Sequence, residues 1–360
     1  MEEKRQRRWA LIPLVLVGAI VLLLPLSAAL DLPLERQVKD ALGLDYKEEG
    51  CAPIHDRGVW GAWRKEGHTP TLLEEGRAVT VGDSAYLVGG LTTQVVDNFG
   101  KSTAAFRRYD FDTGKFESLP DLPERLNHVG MAAQGNDVYV VGGLGDQLEF
   151  LSEASPALFR YDIPSQTWVE MPPMRTPRGA LGAAFVGDDL FAVGGRNGTD
   201  SYATVEMFDT KTDRWSNRAP LPGGRDHLGV ASLGGFVYAV GGRYDGGPEL
   251  AEFLRYNPRT NEWKRLQDLP TGTSGVTLER VGDELAITGG EDSEQAWVTG
   301  RTFAYSPQTG RWRNLADSPR PKHGYASTGH DGRLYVFGGA ICAGSTPTDT
   351  IESLRVSKGS

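Results

Sequence analysis

The sequence predicts an all-β chain: six copies of one four-stranded unit behind an apolar N-terminal segment. Three observations carry that expectation. An apolar strand ending in a glycine doublet occurs six times, as AYLVGG (to Gly90), VYVVGG (to Gly143), LFAVGG (to Gly195), VYAVGG (to Gly242), LAITGG (to Gly290) and LYVFGG (to Gly339). An aromatic residue, Trp63, Phe116, Trp168, Trp215, Trp263 or Trp312, stands 26 positions before the first glycine of each doublet. A second aromatic lies seven positions before five of these, at Tyr109, Tyr161, Phe208, Tyr256 and Tyr305. Such fixed offsets mark a repeat architecture whose units bury their apolar faces against their neighbours.

Residues 1–8 carry four basic and two acidic side chains and are expected to stay cytoplasmic. The uncharged run from Trp9 to Leu30 that follows is long enough to span a bilayer. It is expected to be an N-terminal hydrophobic helix, either a membrane anchor or a signal peptide, since Pro25 and the small residues Ser27 to Ala29 also suit a cleavage site. Both readings place the remainder outside the cytoplasm, at the cell surface or in the periplasm. Residues 31–57 read as a stalk or linker, in which Leu34, Val38, Leu42 and Leu44 give a partial apolar stripe.

Within one unit, ALGAAFV and DLFAVGG are short apolar runs split by GDD, and ATVEMFDT and RWSNRA flank KTD. Each pair reads as a hairpin. The first strand of a unit is rich in Gly and Ala, as in VGMAA and LGVAS, which suits an innermost strand where units converge. The aromatics are expected further out, filling the wedges between units.

The doublet followed by spaced Tyr and Trp resembles the kelch repeat, and the resemblance extends from Gly58 to about Val356. It implies a six-bladed kelch β-propeller over 58–360 with a central channel. The last repeat lacks a fourth-strand aromatic, and Trp63 precedes the first doublet unclaimed. Residues 59–64 are therefore expected to close blade six by pairing with 351–356, which removes an open sheet edge. This closure would bring Cys51 and Cys342, the two cysteines of the chain, to the same blade. A disulfide between them is chemically permitted in an exported protein.

The spacing from doublet to following aromatic varies from 21 to 27 positions, so length variation falls in the loop after the doublet. Variable loops on a rigid scaffold are where function is expected. Ten residues after the aromatics come Leu73, Leu126, Arg178, Arg225, Thr273 and Lys322, and Arg196, Arg243 and Glu291 each follow a doublet. The resemblance implies that Arg178, Arg196, Arg225 and Arg243 of blades three and four, with Tyr244 and His227 and with Lys322 standing apart in blade six, grip an acidic protein segment or acidic glycan. Protein-binding kelch domains, such as the adaptor of the oxidative-stress ubiquitin ligase, place arginines in this way, and a guanidinium holds a carboxylate with two hydrogen bonds.

Other function classes fare worse. A net charge of −9 argues against a nucleic-acid partner. Gly100 to Ser102 has the ending of a phosphate loop, but Val95 stands where its leading glycine is required. The alternatives kept open are a structural cell-surface interaction domain and a carbohydrate-active enzyme. The latter would resemble the periplasmic sialic acid mutarotase, also a kelch propeller, and Glu291 would be its acid/base. No cofactor and no metal site is expected. His128, His227 and His323 fall at matching places in blades two, four and six, and are read as hydrogen-bonding residues on blades far apart around the ring.

Overall fold

The computed structural model describes residues 62–92, 101–145, 153–244, 247–292, 297–342 and 346–356. The basic segment 1–8, the apolar run 9–30 and the stalk 31–57 lie outside them. Among the described residues no helix is long and apolar enough to cross a membrane.

Among the described residues six antiparallel four-stranded sheets form the body, and three two-stranded ribbons lie in the loops after doublets. Blade one consists of Arg77–Val81, Ser84–Val88, Phe106–Asp110 and Lys115–Leu119, hydrogen-bonded in that order from the channel outwards. Blades two to five repeat the pattern behind inner strands Gly130–Gln134, Gly182–Val186, Gly229–Leu233 and Glu279–Val281. Blade six joins Ala326–His330, Arg333–Phe337 and Thr348–Arg355 to an outer strand from the other end of the chain, Trp63–Leu73. In that closing pair Trp63 faces Leu354 and Arg64 faces Ser353. The strand runs on to Leu73, beyond the expected limit at Arg64, with register shifts after Lys65 and His68. Residues 59–61 lie outside the described set.

Six apolar clusters fill the six wedges between blades. One joins Tyr86, Val88 and Phe106 of blade one to Val138, Val140 and Phe159 of blade two. Aromatic rings meet across the same seams, as in Phe106 with Trp168 (centroids 4.9 Å apart) and Phe253 with Trp312 (4.8 Å). Each repeat tryptophan also uses its polar edge, as buried indoles must. Its Nε1–H donates to a backbone carbonyl four residues past the equivalent aromatic of the preceding blade: Trp63 to Ala316, Trp168 to Pro120, Trp215 to Pro172, Trp263 to Ala219 and Trp312 to Gln267.

The doublets perform a related task in backbone alone. The second glycine N–H of each donates to the carbonyl of the tenth-position residue entering the next blade, for example Gly143 to Arg178 (3.1 Å) and Gly242 to Thr273 (2.9 Å). For that contact the first glycine must turn left-handed, with φ of 65° at Gly241, where an added Cβ would lie 2.5 Å from the Thr273 carbonyl oxygen. Only glycine meets both conditions.

The inner strands enclose a channel of about 370 Å³, lined by small residues such as Ala78, Ala132 and Ala183. Tight convergence explains their size: a Cβ on Gly182 would stand 2.1 Å from Val230. One carboxylate in this wall, Glu279, accepts from Ser327 Oγ at 2.9 Å. Burial pushes its pKa up to about 8, against weaker opposition from Ser327, Arg77 and Thr277. Between the ordinary carboxylate range and about 8, folded Glu279 keeps a proton that the unfolded chain has released. Its contribution therefore falls as pH rises through that window. Glu279→Gln should lack this slope and gain on the order of 4 kcal/mol over wild type between pH 5 and pH 9. Urea midpoints of both proteins at the two pH values test this, and parallel pH profiles would refute it.

Candidate functional site at the axial mouth

The positions twelve residues after the six repeat aromatics are Glu75, His128, Ala180, His227, Gly275 and Gly324. All six adopt left-handed backbone, with φ between 50° and 64°. Their peptide groups form a closed ring around the axis. Glu75 N–H donates to Gly324 O, His128 to Glu75, Ala180 to His128, His227 to Ala180, Gly275 to His227 and Gly324 to Gly275, at 2.5–3.0 Å. Each blade therefore holds the next at the channel mouth, on the face that carries the loops after the doublets.

This ring corrects the expectation that the three histidines stand apart. Blades are far apart at their rims, but their entry segments converge on the axis. The His128 and His227 rings meet edge to face at 4.9 Å. His128 Nε2 lies 3.4 Å from Glu75 Oε2, and His323 Nδ1 lies 3.9 Å from Glu75 Oε1 and 3.4 Å from Glu291 Oε1. Arg243 closes the rim, with Nη1 2.6 Å from Glu291 Oε2 and Nη2 3.5 Å from His227 Nε2.

The electrostatics follow from this packing. Burial alone would raise the Glu75 carboxyl, but His128, His227, Arg77 and His323 outweigh it and hold the pKa at about 2. Asp226 is likewise held at about 2, because its bond to His227, with help from Ser201 and Arg243, overcomes burial. Glu291 is lowered by His323, Arg243 and His227 against its burial. His323 is raised, since Glu291, Glu74 and Glu75 overcome the burial that would lower it.

The arginines expected to grip a ligand divide into two groups. Arg178 is fully buried: Nη1 donates to Glu206 Oε1 (2.8 Å), Nε to Gly194 O and Nη2 to Ala192 O. Arg225 is 1% exposed and pairs with Glu252 at 2.5 Å. Lys322 is 2% exposed and pairs with Glu352 at 2.8 Å. All three heads point into their own blades, where Arg178 and Arg225 reach the carbonyl of the doublet's first glycine. Thr273 Oγ1 does the same in blade five, with Gly289. This is a correction: Arg178 and Arg225 brace a doublet, Lys322 bonds Thr350 and Glu352 inside its blade, and burial keeps all three from an external carboxylate. Arg196 remains half-exposed, with Nε and Nη2 donating to Gly198 O. Arg243 has a quarter of its side chain exposed, and Tyr244 beside it is 44% exposed. His227 and Glu291 belong to the axial cluster. Cys342 is buried, and its carbonyl accepts from His323 Nε2 at 2.9 Å. Its expected partner, Cys51, lies outside the described residues.

Sequence reasoning missed Glu74, Glu75 and Asp226. Reading position twelve across all six units, instead of following histidines alone, would have found Glu75.

The fold and the site define a six-bladed β-propeller whose variable loops surround a closed axial ring. The chain belongs to the kelch-repeat family: a profile of the KLHDC2/KLHL20/DRC7 Kelch-repeats domain matches residues 75–290. It is similar to kelch-like protein 36 of Rattus norvegicus, 32% identical over 172 residues, which are 48% of this chain and 28% of the relative. Kelch-like protein terF of Aspergillus terreus is 26% identical over 221 residues, 61% of this chain and 39% of that protein. The Kelch repeat and BTB domain-containing protein 2 of Cowpox virus is 25% identical over 100 residues, 28% of this chain and 17% of its own. The chain thus covers well under half the length of these relatives.

Proposed function

We propose that this propeller is a protein-interaction module, exported and tethered through residues 9–30 where these are not cleaved. Its loop-bearing face receives an acidic segment of a partner. One observation carries the reading: Arg196, Arg243 and Tyr244 keep exposed surface on that face, with Arg196 donating to Gly198 O and Arg243 paired with Glu291, whereas the tenth-position cations are buried. Arginine and tyrosine are among the residue types enriched at the energetic hot spots of protein interfaces. A disulfide between Cys51 and Cys342 would fit export, and belongs to the same proposal.

An acidic glycan is the second ligand class for this patch. The epimerase reading has less behind it. Glu291 is held below the ordinary carboxylate range and is bonded to Arg243, which suits a fixed anion better than a base at neutral pH.

Titration calorimetry with a Glu-rich decapeptide and with sialic acid tests the proposal. Wild type should bind the peptide, and Arg196→Ala/Arg243→Ala/Tyr244→Ala should lose at least tenfold in affinity with its melting temperature little changed. Binding by neither protein, or equal binding by both, would sink it.

A further inference from the structure

We infer that Glu75, His128 and His227 form a binding site for one divalent transition-metal ion of the Zn²⁺ type at the axial mouth. One ligand atom from each lies within 4.8 Å of the others, and all three residues are buried. Glu74 and His323 form a second such group with Glu75, so further donors stand alongside.

The tautomers favour this reading. The Asp226 carboxylate can only accept, so the His227 Nδ1 at 2.5 Å carries the proton of that bond. Asn127 Nδ2 donates to Ser102 Oγ and Gly145 O, which fixes Asn127 Oδ1 as the acceptor toward His128 Nδ1. For both histidines Nε2 is thereby the basic nitrogen; in His128 it faces Glu75, and in His227 it lies 3.5 Å from Arg243 Nη2, which a bound ion would displace. An imidazole anchored by one N–H to an oxygen, with the other nitrogen turned inward, is the arrangement that metal-binding histidines require.

One further observation points to a ligand. Glu75 Oε2 is a buried carboxylate oxygen without a hydrogen-bond partner, in a residue only 4% exposed. Two imidazoles and a carboxylate without thiolate suit Zn²⁺ or a neighbouring first-row ion, whereas Ca²⁺ and Mg²⁺ prefer all-oxygen shells. Glu291 and Arg243, at 13% and 25% side-chain exposure, form the partly open rim through which an ion could enter.

The test uses the full chain, free of affinity-tag histidines and treated with chelator. Calorimetric titration with ZnCl₂ should give one saturable ion per chain, CoCl₂ should give visible ligand-field bands that ZnCl₂ displaces, and CaCl₂ should do neither. His128→Gln and His227→Gln should each weaken binding at least tenfold. Asp226→Asn should weaken it by about 10–100-fold through loss of the anchoring bond. His68→Gln, an exposed histidine paired with Asp349, should leave binding unchanged. Circular dichroism checks that the variants fold. If ring variants fail to fold, the wild-type Co²⁺ spectrum still decides. Absence of those bands, or full Zn²⁺ affinity in folded His128→Gln/His227→Gln, would overturn the inference and leave the cluster as a charge network.

Discussion

Arg178→Met should destabilise the propeller by about 3–5 kcal/mol, because it leaves a buried carboxylate without its cation. Both members of the pair are fully buried. Glu206 is held on three sides: its Oε1 accepts from Arg178 Nη1 and from Thr176 N–H, and its Oε2 accepts from Arg175 N–H. With the guanidinium gone, two backbone donors must solvate a full negative charge in a protein interior. The carbonyls of Gly194 and Ala192 lose a donor in the same step. Arg178→Met/Glu206→Leu should recover part of the loss, since the unpaired buried charge is gone, although the Arg175 and Thr176 N–H groups then lose their acceptor. Urea unfolding of the two variants reads the contrast. A ligand-gripping arginine would behave differently, with Arg178→Met unfolding like wild type and losing only binding. That result would return Arg178 to the binding surface and overturn the bracing role assigned to the tenth position.

The same pair shows where sequence reading succeeds and where it stops. Gly241, Gly242, Trp263 and their counterparts were legible because the fold repeats each structural demand six times, and fixed spacing exposes it. Arg178 occupies a repeat position too, but sequence does not say which way its side chain points. An arginine that braces a doublet and one that awaits a partner have the same spacing. The carboxylates Glu206, Glu252 and Glu352, in or just before third strands, decide the matter, and their pairing with the tenth-position cations is a fact of packing. The axial cluster was hidden for a geometric reason. Around the ring, blades two and four are separated by a whole blade, yet at the axis His128 and His227 are in contact. Separation in sequence order maps onto distance only at the rim.

Ring closure carries the second large effect. Trp63→Ala should cost about 3–5 kcal/mol, the usual toll for removing a large aromatic from a core. Trp63 is 2% exposed and packs among Val281, Tyr325, Leu334 and Leu354 at the seam between blades five and six. Its indole also satisfies the Ala316 carbonyl at 2.9 Å. Trp168 occupies the same repeat position and makes the same kind of bond, to Pro120 at 2.8 Å, but it is only half-buried. Trp168→Ala should therefore lose less, about 1–2 kcal/mol, on burial grounds. The difference has a topological part as well. Blade two is continuous in sequence, so a weakened outer strand stays tethered through its hairpin. The strand Trp63–Leu73 is held in blade six by its pairing with Thr348–Arg355, across nearly the whole length of the chain. Weakening that pairing frees a sheet edge and opens the ring locally before global unfolding. Hydrogen exchange should accordingly accelerate in Thr348–Arg355 for Trp63→Ala and stay slow there for Trp168→Ala. Equal losses of stability and unchanged exchange in that strand would show that blade six does not depend on Trp63 for its closure.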